Sequence, residues 1–439
     1  MAQDCVTPGG GATEAKARFG LLGRTLGHSW SPLIHARLGS TPYDLIELEP
    51  DEVAPFVRED ASWRGLNVTI PYKRDAARLA DERSGRVERL GVANTLVRRP
   101  DGSIYADNTD VLGFGWMLES FCRERLGLEG ACALSGADVL VLGDGGASQA
   151  VQAALEDTGA HVSVISRHGD DGYEGLPGRH PHALLVVNTT PVGMYPKCPA
   201  TVVPERDLAA LTELRGVLDV VYNPRRTGIC LAAERLGLPW QSGLAMLVAQ
   251  ALFSSEQFQG VRLDRSLVGA VEKEICDQTE NVVLIGMPGV GKTTTGRALA
   301  HLLGRPFVDL DDAFRLEFGT SAADFIREHG EAEFRARETQ VAAEYGSRSS
   351  LVVACGGGIV TQPRNYDLLH QNGTIVQLDR PADQLSQANR PLSQARGIHA
   401  LARERMPLYR AWADLVQPCT GSASGDARAI AGAPGLLAR

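Results

Sequence analysis

The octapeptide Gly286-Met287-Pro288-Gly289-Val290-Gly291-Lys292-Thr293 constrains this chain more than any other stretch of it. It follows an apolar run, Val282-Val283-Leu284-Ile285, and opens a segment, Lys292–Leu303, that reads as a helix. A GxxxxGK[ST] sequence between a strand and a helix cradles phosphate with its backbone N–H groups. Lys292 is placed to reach the outer phosphates, and the Thr293 hydroxyl to meet Mg²⁺. Gly289, Val290, Gly291 and Thr294 complete the expected cradle. Nucleoside triphosphate binding follows, without the acceptor being specified.

A second strand–glycine-turn–helix unit lies upstream. Val139-Leu140-Val141-Leu142 runs into Gly143-Asp144-Gly145-Gly146-Ala147, with a helix expected over Ser148–Thr158. The glycine spacings of the two units differ, so they are not repeats, and two nucleotide sites are expected. Here Gly143, Gly145, Gly146 and Ala147 would let backbone N–H groups approach a pyrophosphate at a helix N-terminus. The next strand, His161–Ile165, ends at Ser166-Arg167, about where a ribose-reading carboxylate would stand for NAD. A guanidinium there suits a 2′-phosphate, which favours NADP. Asp144 between the glycines is expected to point away from the pyrophosphate.

Between and around these units, short apolar runs alternate with amphipathic stretches, the rhythm of parallel-sheet α/β folds. A length of 439 residues is enough for about three domains. The chain holds 53 acidic against 44 basic residues, a formal net charge of −9. Duplex binding needs a basic surface, so nucleic acid is not an expected partner. The cysteines at 5, 122, 132, 198, 230, 276, 355 and 419 form no CxxC pair and no Cys/His ligand spacing. Reduced thiols in a cytoplasmic protein are the expectation. No apolar run approaches the roughly 20 residues that span a bilayer, so no membrane association is expected. Residues 1–17 are small and polar and read as a flexible tail.

Several blocks around the first glycine turn carry a resemblance. Gly20-Leu21-Leu22-Gly23, His28-Ser29-Trp30-Ser31-Pro32, Asn67-Val68-Thr69-Ile70-Pro71-Tyr72-Lys73, Gly91-Val92-Ala93-Asn94-Thr95 and Asp107-Asn108-Thr109-Asp110 precede it. Asn188-Thr189-Thr190-Pro191-Val192-Gly193-Met194, Asp219-Val220-Val221-Tyr222-Asn223-Pro224 and Gly243–Gln250 follow it. Together, over about residues 18–270, they resemble shikimate dehydrogenase. Hydride reduction of a ketone needs a proton donor at the developing alkoxide. Lys73 can donate, and a carboxylate such as Asp110 would orient it and keep it charged. The resemblance makes this lysine and aspartate the catalytic pair. It places Ser29, Ser31, Asn67, Thr69, Asn94, Tyr222 and Gln250 at substrate positions, and Thr189, Thr190, Val220 and Gly243 on the nicotinamide side. His28 reads as a structural residue of its loop. Arg167 and Ser31 lean toward shikimate and NADP over quinate and NAD.

Beyond the second glycine turn, Phe307-Val308-Asp309-Leu310-Asp311, Phe334-Arg335, Gly356-Gly357-Gly358, Asn389-Arg390-Pro391-Leu392 and Arg405-Met406-Pro407-Leu408-Tyr409 resemble shikimate kinase over about 281–418. If Asp309 and Asp311 lie in one strand, alternation puts both on the same face. The resemblance directs Asp309 to Mg²⁺ and Asp311 to the acceptor hydroxyls, where Asp311 can take the hydroxyl proton. Arg335 and Arg405 would bind the acceptor carboxylate beside the Gly357 backbone. Arg390 matches a lid arginine that closes on the phosphates. The lid departs from the family at Ser386-Gln387, where another arginine is usual.

The expected architecture is thus an α/β chain. A flexible tail, 1–17, precedes a substrate-binding lobe, 18–112, completed by helices in 242–275. A Rossmann NADP lobe, 113–241, comes next. A polar linker, 276–281, leads to a P-loop kinase domain, 282–439, with a parallel sheet. The expected chemistry is NADPH-dependent reduction of 3-dehydroshikimate to shikimate, followed by MgATP-dependent phosphorylation to shikimate 3-phosphate. NADP(H), ATP and Mg²⁺ are the expected cofactors, small molecules the expected partners, and a monomer or homodimer the expected assembly. Two alternatives stand beside this reading: a degenerate P-loop regulatory module behind an active dehydrogenase, and a quinate dehydrogenase.

Overall fold

Apolar runs of the length of Val282–Ile285 can be buried on both faces only if helices cover a sheet from two sides. Three sheets result in the computed structural model, which describes residues 18–27, 29–385, 397–434 and 436. The expected tail over 1–17, His28 and the lid segment with Arg390 lie outside the described residues.

The first sheet holds β1 (Arg18–Gly23), β2 (Tyr43–Glu47), β3 (Trp63–Val68), β4 (Glu82–Arg83), β5 (Thr95–Arg98) and β6 (Ile104–Asp107). Their order is β2-β1-β3-β5-β6-β4, with β3–β5 and β5–β6 antiparallel and the other pairs parallel. The second sheet holds β7 (Asp138–Leu142), β8 (His161–Ile165), β9 (Leu185–Asn188), β10 (Gly216–Asp219) and β11 (Trp240–Gln241) in the order β11-β10-β9-β7-β8, all parallel. β7 is followed by a strand on one side and then by one on the other, so its C-terminal end is a switch point, where such sheets bind ligands. The first glycine turn sits there. The third sheet holds β12 (Asn281–Ile285), β13 (Phe307–Asp309), β14 (Val352–Ala354), β15 (Gly373–Asp379) and β16 (Leu415–Pro418) in the order β13-β14-β12-β15-β16, also parallel. Its central strand β12 has Val282 to Ile285 wholly buried, and it runs into the second glycine turn and the helix Lys292–Leu303.

By contacts the chain divides into two compact units. One takes residues up to Trp116 together with Leu247–Val268; the other takes Met117–Met246 together with residues from Gly269 on. The second and third sheets therefore belong to one unit. The helices expected in 242–275 to complete the substrate lobe do so only in part, because residues from Gly269 onward join the second unit.

Two local expectations are corrected. Residues 276–281 are not a linker: Cys276–Thr279 are the last turn of the helix Ser266–Thr279, and β12 begins at Asn281. Glu280 between them is 1% exposed and ion-paired, so polarity here marks a buried contact rather than a solvated connection. Asp309 and Asp311 do not share a strand. Asp309 ends β13 and caps the helix Leu310–Phe318, its side chain accepting a hydrogen bond from the Asp311 N–H at 3.0 Å. Capping outweighed strand continuation because Asp is a preferred N-cap and favours the helix start with its charge. The helix after the first glycine turn runs Gly146–Glu156, starting inside the glycine turn itself.

Candidate active sites

In the first unit, Lys73 opens the helix Lys73–Leu79 and Asp110 lies in the first turn of Thr109–Glu124. Lys73 Nζ donates to Asp110 Oδ2 at 2.5 Å, both side chains being largely but not wholly covered. The other oxygen, Asp110 Oδ1, accepts from Asn94 Nδ2 at 2.9 Å. Asn94 Nδ2 also donates to Gln250 Oε1 at 3.3 Å, and Asn94 Oδ1 accepts from the Thr109 N–H at 2.7 Å. Lys73, Asn94, Asp110 and Gln250 thus form one hydrogen-bonded set drawn from four separate segments. Asn67 is held behind them: Tyr43 donates its hydroxyl to Asn67 Oδ1 at 2.9 Å, and Asn67 Nδ2 donates to Asn94 O at 3.5 Å. Ser29 and Ser31 pair with each other at 3.1 Å, Ser31 beginning the helix Ser31–Leu38. Thr69 is half-buried, its N–H donating to Leu22 O at 2.9 Å.

In the second unit, Gly143 adopts φ 102°, and a Cβ there would lie 2.8 Å from the Thr190 side chain. A Cβ on Gly145 or Gly146 would meet nothing within 4 Å, so the turn opens onto free space at the N-terminus of Gly146–Glu156. That space beside unsatisfied N–H groups fits a pyrophosphate. Asp144 is exposed. Ser166 is buried and spent on its own loop, accepting from the Gly169 N–H at 2.8 Å, whereas Arg167 is exposed at the end of β8. Thr189 donates to Leu142 O at 2.7 Å and Thr190 to Asn188 Oδ1 at 2.7 Å, so both hydroxyls brace the turns of this lobe. Gly243 packs so closely that a Cβ would stand 2.0 Å from Val220 O.

Tyr222 lies on the loop after β10, in this unit rather than with the other positions expected on the substrate side. Burial pushes its phenol up. The loop hangs on Asp219, wholly buried, whose carboxylate accepts from Val221 N–H at 2.9 Å, Asn188 Nδ2 at 3.0 Å and Thr227 Oγ1 at 2.5 Å. Burial pushes Asp219 up to about 7 against these donors.

The second glycine turn is a tight cradle: Gly286, Gly289 and Gly291 take φ of 141°, 87° and 112°. Val290 is buried beneath it, and Thr294 donates to Gly291 O at 2.9 Å. Lys292 Nζ folds onto Gly286 O at 2.8 Å and Met287 O at 3.1 Å. Thr293 donates to Asp309 Oδ2 at 2.7 Å. Among the described residues no cluster of three or more His, Cys, Asp or Glu is placed to hold a metal. Two adjacent protein oxygens, Thr293 and Asp309, fit Mg²⁺, which keeps water and substrate phosphates as most of its ligands. Asp311 is crowded by protein and by Asp309, and both effects raise its carboxyl, burial first.

The three glycines 356–358 pack closely against Asp311, Pro288 and Arg335. A Cβ on Gly356 would lie 2.9 Å from Asp311 Oδ1, on Gly357 2.6 Å from Pro288, and on Gly358 2.2 Å from Arg335 Nη2. Arg335 is buried and already paired, with Glu338 at 2.7 Å and Glu331 at 3.2 Å. Arg405 Nη1 donates to Gly357 O at 3.0 Å, joined there by the Tyr409 hydroxyl. Arg335 and Arg405 each keep a buried Nε without a partner. Glu338 and Tyr409 are absent from the sequence-derived site. Glu338 stands three residues after Arg335 in a helical stretch, the spacing at which such pairs meet, and that signal was available. Tyr409 meets Gly357 only through tertiary folding.

Comparison with known proteins places two families along the chain. The family described as Shikimate dehydrogenase substrate binding domain matches residues 21–96, and Shikimate kinase matches residues 288–431. The chain is similar to the NADP(+) shikimate dehydrogenase of Clostridium perfringens (strain SM101), 33% identical over 278 residues covering 58% of this chain and 97% of that relative. It is similar to the shikimate kinase of Halorhodospira halophila, 44% identical over 159 residues covering 34% of this chain and 88% of that relative. Among solved structures, a chorismate mutase/shikimate 5-dehydrogenase fusion protein from Clostridium acetobutylicum matches with TM-score 0.53 and 31% identity, covering 59% of this chain and 96% of that one. The chain therefore belongs to the shikimate dehydrogenase family over its N-terminal portion and to the shikimate kinase family over its C-terminal portion.

Proposed function

We propose that this chain is a bifunctional enzyme that reduces 3-dehydroshikimate to shikimate with NADPH and then phosphorylates shikimate to shikimate 3-phosphate with MgATP. One observation carries the reading: a finished Lys73–Asp110 pair and a finished Lys292/Thr293/Asp309/Asp311 set occur in the same chain. The product of the first reaction is the acceptor of the second.

For the reduction, bound NADPH supplies the hydride. Lys73 delivers a proton from Nζ to the oxygen that gains charge, and Asp110 holds that Nζ in place. Asn94 and Gln250 fix the Asp110 carboxylate and, with Ser29, Ser31, Asn67, Thr69 and Tyr222, offer neutral hydrogen bonds to a polyhydroxylated substrate. Arg167, exposed where the second strand of the NADP lobe ends, binds the 2′-phosphate, and the Gly143–Ala147 turn binds the pyrophosphate.

For the phosphoryl transfer, bound Mg²⁺ neutralises charge on the phosphates. Lys292 releases the cradle carbonyls to reach the outer phosphates, and Thr293 and Asp309 hold the metal. Asp311, its carboxyl raised by burial and by Asp309, accepts the acceptor's hydroxyl proton. Arg405 and Arg335 bind the acceptor carboxylate, each having a buried Nε without another partner. Arg390 is the lid residue of this reading. Among the described residues the seven cysteines are unpaired, and no helix is long and apolar enough to cross a membrane. These facts support a cytoplasmic setting, and we read the assembly as a monomer or homodimer.

The test is a coupled incubation of pure protein with 3-dehydroshikimate, NADPH, ATP and Mg²⁺, analysed by mass spectrometry. Shikimate 3-phosphate is the expected product. Accumulation of shikimate alone would overturn the kinase half and favour a binding module.

A further inference from the structure

The loop that carries Tyr222 ends in two arginines whose partners come from the other half of the chain. Arg226 is buried, and its backbone N–H donates to Gln371 O at 2.8 Å. Its Nη1 donates to His370 O at 3.1 Å and to Glu280 Oε1 at 3.3 Å. Arg225 Nη1 takes the other oxygen, Glu280 Oε2. Glu280 Oε1 also accepts from Thr374 Oγ1 at 3.1 Å. Beside this centre, Glu234 Oε2 stands 3.8 Å from Arg226 Nε and 3.5 Å from His370 Nδ1, and Arg235 pairs with Asp367. His370, Gln371 and Thr374 lie within the stretch matched by the kinase family, and Arg225 and Arg226 follow the dehydrogenase block Asp219–Pro224 directly.

A surface loop at the end of a strand is ordinarily among the more mobile parts of a protein. Here its far end is fixed by two arginines on one buried carboxylate and by a main-chain bond to Gln371. Ordering a loop before the ligand arrives removes that cost from binding. We propose that Glu280 is a positioning residue for the reduction: through Arg225 and Arg226, and together with the 370–374 segment of the kinase half, it holds Tyr222 ready for substrate. The kinase half thus completes the dehydrogenase. This rests on the reading of Tyr222 as a substrate-side residue.

The experiment compares the full wild-type chain with Glu280→Gln and with the milder Thr374→Val. Steady-state reduction of 3-dehydroshikimate and hydrogen exchange of the backbone amides over residues 220–227 are measured. In Glu280→Gln, KM for 3-dehydroshikimate should rise about three- to tenfold, the scale of one hydrogen bond or one side chain left unordered. Its kcat at saturation and the kinase KM for shikimate should stay within about twofold, and amides 220–227 should exchange faster. Thr374→Val should shift KM and exchange the same way, by less. An unchanged KM in cooperatively folded variants, a fall in kcat alone, or unaltered exchange at 220–227 would overturn the proposal. A wild-type chain that reduces nothing would sink the functional reading instead, and the exchange comparison would then decide the anchoring by itself.

Discussion

At the residue scale, the chemistry is concentrated in a few side chains whose partners define their roles. Lys73 is bound to one carboxylate and through it to Asn94, so its amino group is held in one orientation. General acid catalysis is worth roughly 10²–10⁴-fold, so Lys73→Ala should lower kcat for reduction by about that factor. Phosphorylation of added shikimate by the same variant should be unchanged; joint loss in a folded protein would contradict two independent sites. Arg167 stands exposed where the 2′-phosphate is expected. A hydrogen bond to a charged group contributes about 1.5–3 kcal/mol, so Arg167→Ala should raise KM for NADPH about 10- to 100-fold while leaving NADH nearly unaffected. Equal losses for the two cofactors would remove the 2′-phosphate argument. These candidates could be named because residue type and motif position point to the chemistry. Tyr409 and Asp219 were harder to read from the sequence, since what they contribute is a contact with another segment.

At the scale of elements, the glycine turns do their work by letting backbones approach. Both strand–turn–helix units were legible from an apolar run ending in glycine, and the helix Lys292–Leu303 has the bounds its sequence implies. The Asp309–Asp311 pair shows the limit of periodicity. A two-residue spacing fits strand alternation, yet the chain turns into a helix at Leu310 because Asp309 can cap it. The two residues stay adjacent despite the change of geometry, since the Asp309 cap accepts from the Asp311 N–H. Gly243 illustrates a contact no local pattern encodes, its Cα lying against the main chain of Val220. Gly243→Ala should force that loop aside at a cost of about 1–3 kcal/mol, as overpacking does. Reduction should fall and phosphorylation persist, which paired steady-state assays on the variant would check.

At the scale of the whole molecule, the NADP-lobe sheet and the kinase sheet belong to one compact unit. The stretch expected to separate them is a helix end followed by a buried carboxylate. Removing the carboxylate would leave two largely covered guanidinium groups without their shared partner. Breaking a buried pair in this way typically costs about 3–5 kcal/mol. Glu280→Ala should therefore lower the urea midpoint of this unit by a corresponding amount, with NADP-lobe and kinase signals shifting together. A shift confined to one of them would show that the two sheets unfold independently.

Residue types and short spacings alone carry the family of each half, the α/β alternation, and the candidate groups proposed for phosphate, proton transfer, metal and acceptor. Those properties reside in residue type and short spacing, which survive without a fold. The packed chain adds how segments far apart in sequence share hydrogen bonds. Asn94 and Gln250 meet over Asp110, Arg405 and Tyr409 meet on Gly357, and two arginines of the dehydrogenase half meet Glu280 and the turn at Gln371. A buried ion pair looks, in sequence, like the polar residues of a solvated linker. Only burial distinguishes the two, and burial is a property of the packed chain.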